Sequence, residues 1–372
     1  MRNGKRKVAH LTSVHPVSDT RIAYRECATL ARAGYDVVLV GAGSAGALPP
    51  GVRLRSVPLP RNRFERMTAT VWHVFRAAVS ENADVYHFHD PELMGVGLAL
   101  RLRGAQVVFD VHEDIPQDIA DKPWLPAWVR PPLAAASTAA LRLLQRGYSA
   151  IVTATPAIAR RFAHGRTVVV ANYPSLDEIP RLSPVPFEQR PRSAIYLGAI
   201  TELRCIEEML DAMLSPELAP GIRLTLAGTF ETPELERRVR AMPAWAHVDY
   251  LGFCPRSAVA AAFETARAGL LLFRPAANHE EAMPTKLFEY LGAGLPVVIS
   301  DTMQCSAIVR DNRCGIVVNP RDVGAIARAV SYLVENPAVA QAMGERGRAI
   351  VEERYQWTSE AQKLMKLYAE IA

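Results

Sequence analysis

A stretch in the C-terminal half of the chain, residues 281–301, combines residue types that suit the binding of a phosphate-bearing ligand. Its sequence, EAMPTKLFEYLGAGLPVVISD, predicts a helix with Pro284 in the first position, where a proline loses no hydrogen bond. The backbone N–H groups of Thr285, Lys286 and Leu287 would then be unpaired at the positive end of the helix, beside the Lys286 ammonium group. These features predict an anion site that suits a diphosphate.

Two glutamates flank the start of this helix. Glu289 lies one turn into the helix, where its carboxylate could accept hydrogen bonds from two vicinal hydroxyls of a ribose. Glu281 precedes the helix and would meet whatever group is attached to the diphosphate. A nucleotide-sugar supplies a ligand for each of these three groups, because it carries a ribose, a diphosphate and a sugar attached to the diphosphate. The alternative is an ordinary helix–strand unit with solvated charges, but the proline, the lysine, the terminal glycines and the following apolar strand together favour the nucleotide.

A second cation is expected at the same edge of the predicted sheet. Gly198 follows a strand-like run and lets the backbone turn sharply, and Arg204 is expected to open the next helix. Ligands of open α/β sheets bind at the carboxyl ends of the strands, so Arg204 should face the same ligand as Lys286. Two cations match the charge of a diphosphate. The alternative for Arg204 is a surface arginine at a helix start.

Histidines cluster where two strands of the N-terminal half end. His87, His89 and Asp90 follow one strand and His112 follows the next, so these side chains should share one edge of the sheet. The His-x-His pair raises the question of a metal, but the sequence offers no further ligand at zinc-like spacing. Asp90 is expected to cap the helix that Pro91 begins. For His89 the alternative is a structural hydrogen bond between strand ends.

The opening loop, SVHPVSDTR at residues 13–21, joins the first strand to the first helix and should face the same edge. His15, Asp19 and Arg21, together with His89 and Asp90, are candidates for contacts with an acceptor molecule. A helix-capping role for Asp19 and a position on the helix surface for Arg21 remain open.

The elements that must position these residues alternate between strand-like and helical runs from end to end. This alternation predicts an α/β fold with doubly wound parallel sheets. The proposed division is an N-terminal domain at 1–174, a proline-rich linker at 175–192, a C-terminal domain at 193–354 and a terminal helix at 355–372. That helix either completes the second core or returns to the first domain. Expected strands cover 8–11, 37–40, 85–87, 107–111, 151–153, 168–170, 195–197, 224–227, 269–273, 297–300 and 316–318.

Composition narrows the class of protein further. The chain has 372 residues, 49% of them hydrophobic, and a formal charge of +5, a mild excess that does not argue for a nucleic-acid partner. Its five scattered cysteines are typical of reduced thiols in a cytoplasmic protein. No uncharged apolar run approaches the roughly 20 residues needed to cross a bilayer. A basic loop at 61–66 and an aromatic segment with Trp128 and Arg130 suit the inner face of an anionic membrane, with packing or solvation as the alternative.

The paired glutamates at 281 and 289 resemble the signature of family 4 retaining glycosyltransferases, which have the GT-B fold. The His-Pro…Asp-Thr-Arg form of residues 13–21 is similar to a subgroup of bacterial polysaccharide-assembly transferases, over nearly the whole chain. The resemblance implies two Rossmann-like domains facing a central crevice, with His112 contacting the donor sugar or leaving phosphate and Glu281 contacting the sugar. It also implies retention at the anomeric carbon. Ala199 and Cys205 depart from the family pattern, and Arg204 stands where the family has a lysine.

These observations lead to one preferred hypothesis, a glycosyltransferase that moves a sugar from a nucleotide diphosphate to a hydroxyl acceptor. The enzyme is expected to act in the assembly of cell-surface polysaccharide or glycolipid, and a lipid-linked molecule is one form that its acceptor can take. No cofactor and no obligatory divalent metal are expected, because fixed positive groups can stabilise the leaving diphosphate. The alternatives are a nucleotide-sugar epimerase of the same fold, an inactive nucleotide-sugar sensor, and a metal-dependent hydrolase that uses His87, His89 and His112.

Overall fold

The computed structural model describes residues 5–44, 46, 48–121, 125–178, 185–276 and 280–371, which form two compact units. The first unit comprises Met1–Asn172 and Trp357–Ala372, and the second comprises Tyr173–Gln356.

The first unit is built on a seven-stranded parallel sheet with the order β3-β2-β1-β4-β5-β6-β7. Its central strands are mostly apolar and almost completely buried, as expected for a parallel sheet with helices on both faces. The strands are β1 Lys7–Leu11, β2 Asp36–Ala42, β3 Val52–Val57, β4 Val85–Phe88, β5 Gln106–Val111, β6 Ala150–Thr153 and β7 Thr167–Val169.

Helices of the first unit connect these strands. A π-helical segment, Thr20–Cys27, leads into helix α1, and a second one, Arg66–Thr70, separates α2 from α3. The helices are α1 Ala28–Arg32, α2 Arg63–Glu65, α3 Val71–Glu81, α4 Met94–Leu102, α5 Ile115–Asp121, α6 Arg130–Leu144 and α7 Pro156–Ala159, with 3-10 turns at Pro91–Leu93 and Gln145–Gly147.

The second unit contains a six-stranded parallel sheet with the order β10-β9-β8-β11-β12-β13. Its strands are β8 Ser193–Leu197, β9 Arg223–Ala227, β10 Val248–Gly252, β11 Ala268–Leu271, β12 Val297–Ser300 and β13 Gly315–Val318. Its helices are α8 Ile206–Leu214, α9 Pro233–Arg240, α10 Arg256–Glu264, α11 Thr285–Gly292, α12 Ser306–Asp311, α13 Val323–Glu335 and α14 Pro337–Arg354, with 3-10 turns at Leu176–Glu178, Phe187–Gln189, Glu202–Arg204 and Pro243–His247.

The terminal helix α15, Trp357–Ile371, packs into the core of the first unit. The indole N–H of Trp357 donates to the Thr29 hydroxyl at 2.9 Å, and a Glu360 carboxylate oxygen accepts from the Ala171 amide at 2.8 Å. The ring of Tyr368 is fully buried, and its hydroxyl lies 2.9 Å from Nδ1 of His87. The sequence left open whether this helix completes the second core or returns to the first domain. The structure places it in the first unit.

The prediction of an α/β fold with doubly wound parallel sheets is confirmed. The prediction did not include β3 and β10, which are both edge strands. Part of the proposed linker, residues 179–184, lies outside the described residues. All five cysteines are free, and four of them are buried. Within the described ranges, each helix is too short or too polar to cross a bilayer.

Candidate functional site

Three of the predicted site residues lie together at the carboxyl edge of the second sheet, namely Gly198, Arg204 and Lys286. This glycine follows β8 with a φ of +147°, and its amide donates to the Ala227 carbonyl at 2.9 Å. A Cβ atom built on Gly198 would lie 3.9 Å from Nη1 of Arg204 and 3.9 Å from Cε of Lys286. The two cationic side chains therefore converge on the one residue that presents no side chain of its own.

Arg204 reaches this position from a short turn rather than from a helix start. It is the last residue of the 3-10 turn Glu202–Arg204, and helix α8 begins two residues later at Ile206, so the expectation that Arg204 opens the helix is wrong. The physical reason is that Cys205 adopts a left-handed conformation, with a φ of +55°, and separates the turn from the helix. The Arg204 guanidinium lies 4.9 Å above the ring of Phe273, a cation–π contact that helps to fix its direction.

The start of helix α11 differs from the prediction in two details. Pro284 occupies the capping position before the helix, with φ −67° and ψ 129°, and Thr285 is the first helical residue. The Leu287 amide donates to the Pro284 carbonyl at 3.0 Å, which closes the first turn. Leu287 is therefore not an anion donor, because its N–H is already paired and its side chain is buried.

The charged residues of α11 are half-buried and paired with each other. The Lys286 ammonium lies 2.6 Å from the Glu289 carboxylate, and their side chains are 27% and 23% exposed. Glu281, also half-buried, has a carboxylate oxygen 3.5 Å from the side-chain nitrogen of Gln304. An ion pair with this partial exposure can be exchanged for a ligand, because neither charge is sealed from solvent.

Tyr290 anchors helix α11 to the sheet. Its hydroxyl accepts a hydrogen bond from the Leu197 amide at 2.8 Å, at the last residue of β8. Its ring covers Gly269 of β11, where a Cβ atom would lie 2.8 Å from the ring. Burial raises the pKa of the Tyr290 hydroxyl, which keeps it neutral. The helix that carries Lys286 and Glu289 is therefore held directly against β8, the strand that Gly198 follows.

Gly228 is a site residue that the sequence reasoning missed. It follows β9 with a φ of +150°, and a Cβ atom there would lie 1.8 Å from the Gly198 carbonyl oxygen. Any side chain at this position would displace the backbone that the two cations surround. The signal was available, because Gly228 follows the strand run 224–227 just as Gly198 follows β8.

In the first unit, Asp90 organises the opening loop instead of capping a helix. Its buried carboxylate accepts hydrogen bonds from the Ser13 and Val14 amides at 2.6 and 3.1 Å and from the Thr12 hydroxyl at 2.8 Å. Its other oxygen lies 2.7 Å from Nδ1 of His15. The predicted cap is wrong because these donors satisfy the carboxylate, and no capping hydrogen bond is formed. At 1% exposure, Asp90 also cannot contact an acceptor.

His15 and Asp90 each shift the pKa of the other. Burial alone would raise the pKa of Asp90, but the hydrogen bond and charge of His15 hold it well below its usual range. Burial alone would lower the pKa of His15, but the hydrogen bond and charge of Asp90 raise it above its ordinary value. His15 is therefore a partly exposed imidazole whose protonated form is stabilised by Asp90.

His112 lies beside His15 and is held by a buried carboxylate. The two imidazole rings are 4.9 Å apart, and His112 Nε2 lies 2.8 Å from the Asp110 carboxylate. The side chains of His15 and His112 are 29% and 16% exposed, so both can reach a ligand. The structure thus brings together His15, Asp90 and His112, as predicted from the strand ends.

Arg21 and His89 belong to the core of the first unit, so the prediction that they contact an acceptor is wrong. The Arg21 guanidinium is 3% exposed and makes two hydrogen bonds to Asp110, at 2.9 and 3.0 Å. His89 is 2% exposed, and its ring nitrogens lie 2.9 Å from His10 and 3.2 Å from Asp110. Their polar groups are hydrogen-bonded within this network. The network links the ends of β1, β4 and β5 to the helical segment Thr20–Cys27.

Asp19 has the capping role that the sequence left open. Its carboxylate accepts a hydrogen bond from the Ile22 amide at 3.0 Å at the start of Thr20–Cys27.

The buried network includes four residues that could hold a metal ion, namely Glu26, His87, His89 and Asp110. Glu26 and Asp110 are both within ion-pair distance of Arg21, at 3.1 and 2.9 Å. The guanidinium already supplies the positive charge, and a metal cation would be repelled by it. Burial and the Asp110 charge raise the pKa of Glu26 well above its ordinary value. These residues fit a compensated core network better than a metal centre, and His112 is not among the four.

Comparisons with known proteins agree with this architecture. The model of the family "Glycosyl transferase 4-like domain" matches residues 20–172, and that of "Glycosyl transferases group 1" matches residues 183–350. A phosphatidyl-myo-inositol mannosyltransferase of Mycobacterium leprae is 24% identical over 332 residues, which cover 86% of this chain and 83% of that protein. The putative glycosyltransferase EpsD of Bacillus subtilis is 27% identical over 143 residues, 37% of this chain and 34% of that protein.

Solved structures share the fold at low sequence identity. A sucrose-phosphate synthase from Thermosynechococcus elongatus superposes with a TM-score of 0.76 at 19% identity, covering 98% of this chain and 99% of that one. Anabaena HepE in complex with UDP-glucose superposes with a TM-score of 0.72 at 15% identity, covering 98% and 99%.

Two Rossmann-like parallel sheets in separate units, matched along the whole chain by these structures, define the protein as a member of the GT-B class. With each unit matched by its own family model, the chain belongs to the group 1, family 4-like glycosyltransferases and is a nucleotide-sugar-dependent enzyme. The resemblance seen in the sequence is confirmed.

Proposed function

We propose that the carboxyl edge of the second sheet binds the donor, with Arg204 and Lys286 on the diphosphate, Glu289 on the ribose and Glu281 on the sugar. One observation carries this assignment, the convergence of the two cations on Gly198. A glycine leaves room for a phosphate to approach the backbone, and the first turn of α11 adds its positive end.

The Lys286–Glu289 ion pair suggests how the charge of Lys286 is compensated while no donor is bound. A diphosphate would take over Lys286, and the Glu289 carboxylate would then be available to the ribose hydroxyls. Such an exchange keeps both groups hydrogen-bonded in both states, since the 2.6 Å contact between Lys286 and Glu289 is replaced by one contact of each group to the ligand. The leaving diphosphate gains charge during transfer, and fixed cations stabilise that charge without a metal ion.

The first unit is proposed to supply the acceptor side of the reaction. His112, fixed through Nε2 by Asp110, contacts the donor sugar or the leaving phosphate, and His15 contacts the acceptor. Asp90 and Asp110 act as positioning residues, because each is buried and reaches the ligand only through its histidine.

The acceptor is proposed to be a hydroxyl of a cell-surface polysaccharide or glycolipid, and the anomeric configuration is proposed to be retained. Support for the glycolipid comes from the mannosyltransferase of Mycobacterium leprae, whose name specifies phosphatidyl-myo-inositol and which aligns with 86% of this chain. Support for the polysaccharide comes from the sequence form of residues 13–21. Donors worth testing first are GDP-mannose and UDP-glucose, which appear in the names of related proteins.

Glu289→Ala tests the donor assignment. The variant should lose about ten- to a hundredfold in kcat/KM, because charge-assisted hydrogen bonds to the ribose contribute about 1.5–3 kcal/mol. Steady-state kinetics with the active nucleotide-sugar measure this loss. Glu264→Ala removes a carboxylate at the end of α10, elsewhere in the second unit. It serves as the control and should leave the kinetics unchanged. Wild-type kinetics in Glu289→Ala would refute the ribose role, and release of an altered sugar without acceptor would indicate an epimerase instead.

His112→Gln separates chemistry from donor binding. We expect kcat to fall roughly hundredfold, because a hydrogen-bonding group at the reacting centre is lost, while donor affinity stays within about threefold. Rapid-quench turnover measures the chemical step and calorimetry measures binding. An unchanged kcat, or a loss confined to donor affinity, would contradict a role for His112 in the transfer.

A further inference from the structure

Buried histidines of the first unit form a chain of hydrogen bonds that leads to His112. His10, on β1, has its Nδ1 atom 2.9 Å from Nε2 of His89. His89, which follows β4, has its Nδ1 atom 3.2 Å from Oδ2 of Asp110. The same carboxylate oxygen lies 2.8 Å from Nε2 of His112. One oxygen of Asp110 therefore joins a fully buried histidine to the half-buried histidine of the proposed site.

The protonation of these groups fixes the direction of each hydrogen bond. Burial lowers the pKa of His10 and of His89 below the ordinary value of 6.5, so near neutral pH each ring has one N–H and one acceptor nitrogen. Burial alone would raise the pKa of Asp110, but the Arg21 charge and the hydrogen bonds of the histidines hold it well below its ordinary value. An ionised carboxylate only accepts, so Nδ1 of His89 carries the proton that is donated to Asp110. Nε2 of His89 is then the acceptor, and Nδ1 of His10 donates to it.

The rings and the carboxylate are held in single orientations. The Arg21 guanidinium donates to both oxygens of Asp110, at 2.9 and 3.0 Å, and so fixes the plane of the carboxylate. The His89 ring is stacked on that of His87, with centroids 4.9 Å apart and an interplanar angle of 19°. His89 therefore approaches Oδ2 from one fixed direction.

Packing alone does not account for the imidazoles in this core. His10, His87 and His89 are each at most 2% exposed, and burying a polar ring costs free energy unless its nitrogens are hydrogen-bonded. Apolar side chains of similar size would fill the same volume without that cost. The chain of hydrogen bonds is therefore expected to serve the residue at its exposed end, which is His112.

We infer that His89 is a positioning residue for the transfer reaction and acts on His112 through Asp110. Its Nδ1–H group fixes the oxygen that accepts from Nε2 of His112. This contact sets the direction in which the other ring nitrogen of His112 meets the ligand. His10 supports the arrangement, because its donation to Nε2 of His89 excludes the opposite tautomer of that ring. The inference rests on the proposed role of His112.

Two substitutions of His89 separate the roles of its ring nitrogens. In His89→Asn the side-chain amide nitrogen lies near the position of Nδ1 and can still donate to Asp110, whereas in His89→Gln it lies near the position of Nε2. We expect kcat of His89→Asn to stay within about threefold of the wild type. That of His89→Gln should fall at least about tenfold, because a displaced group at a reacting centre slows the chemical step. Donor affinity should stay within about threefold in both variants, because His89 does not touch the donor.

Rapid-quench turnover and calorimetry with the active nucleotide-sugar measure these values. His73→Asn and His73→Gln, at an exposed position of α3, are the matched controls and should behave as the wild type does. Equal losses in His89→Asn and His89→Gln, or a larger loss in His89→Asn, would overturn the inference, because packing or the bond to His10 would then be what matters.

A double-mutant cycle with His112 separates this inference from the proposed function. In the His112→Gln background, His89→Gln should cause no further loss of kcat, because the residue that it positions is gone. A wild-type kcat in His112→Gln alone would refute the role of His112 and, with it, the inference. A large loss in His112→Gln together with a full additional loss from His89→Gln would overturn the inference alone.

Nuclear magnetic resonance of the wild-type chain provides a test that does not depend on the folding of any variant. With isotope-labelled histidine, the ring-nitrogen signals near neutral pH should place the only ring proton of His89 on Nδ1. They should also place a proton on Nε2 of His112. A ring proton on Nε2 of His89 would overturn the inference, because His89 could not then be a neutral donor to Asp110.

Discussion

At the scale of single residues, the first unit places two imidazoles on buried carboxylates. Asp90 holds His15, and Asp110 holds His112. In each case the carboxylate is sealed in the core while the imidazole keeps a partly exposed edge. This arrangement fixes the direction of each ring and leaves the second ring nitrogen for a ligand.

Asp90→Asn should destabilise the first unit in a pH-dependent way. The raised pKa of His15 means that its contribution is complete below its ordinary value of 6.5 and is lost as the pH rises through the raised value. The lowered pKa of Asp90 means that its contribution is complete above its ordinary value of 3.8 and is lost on acidification. The loss in Asp90→Asn should therefore be largest near pH 5, at about 2–3 kcal/mol, and smaller at pH 8.5.

Urea unfolding of the wild type and Asp90→Asn at these two pH values measures this difference. In a His15→Gln background the pH dependence of the difference should disappear, because the titrating partner is gone. An equal loss at both pH values would show that the ion pair does not form.

At the scale of elements, two glycines at neighbouring strand ends lie where the donor phosphates are proposed to bind. Gly198 and Gly228 both have positive φ angles, and the second packs against the carbonyl of the first. Gly228→Ala should cost more than about 3 kcal/mol in unfolding free energy, because backbone strain adds to a steric clash. It should also lower donor affinity at least about tenfold, since the Gly198 backbone must move.

Gly221→Ala is the matched control for this effect. Gly221 also has a positive φ, +75°, but a Cβ atom there meets nothing within 4 Å, so only the strain of about 1 kcal/mol applies. Chemical denaturation and calorimetry compare the two variants. Equal destabilisation with unchanged donor affinity in Gly228→Ala would show that the close approach of the two glycines is not needed.

Local sequence patterns predicted most of the strands, but they missed two edge strands and assigned the wrong role to Asp90. Buried central strands are mostly apolar and were predicted from the sequence, whereas β3, VRLRSV, is an edge strand with exposed arginines and carries no such run. Short-range reasoning also assigned Asp90 to the nearest helix. Its actual donors lie 75–78 residues away in the loop after β1, a contact that only the assembled sheet creates.

The same limit applies to the residues of the site. The strand ends correctly grouped Gly198, Arg204 and Lys286, because parallel strands bring their carboxyl ends to one edge. Burial could not be inferred in the same way. Arg21 and His89 have the residue types of a binding site, and only the packing of the first unit shows that their polar groups are consumed by the core.

At the scale of the whole molecule, the chain folds as two units, and its end returns to the first of them. The indole of Trp357 bonds to Thr29, a pair separated by 328 residues, and no local pattern could have assigned the terminal helix to that core. The fold class and family were accessible because the paired glutamates and the alternation of strands and helices are local features. The proposed donor site, in contrast, depends on how β8, β9 and α11 meet.

Donor binding by an Arg204→Gln/Lys286→Gln double variant tests the central claim most directly. Calorimetry on the full chain should show that the wild type binds its nucleotide-sugar and the free nucleoside diphosphate with a marked salt dependence. The double variant should bind both at least about a hundredfold more weakly, because two charge-assisted contacts to phosphate are lost. Arg310→Gln, which removes one exposed cation elsewhere in the second unit, should bind both ligands as the wild type does. Unchanged diphosphate affinity in the double variant would contradict the account.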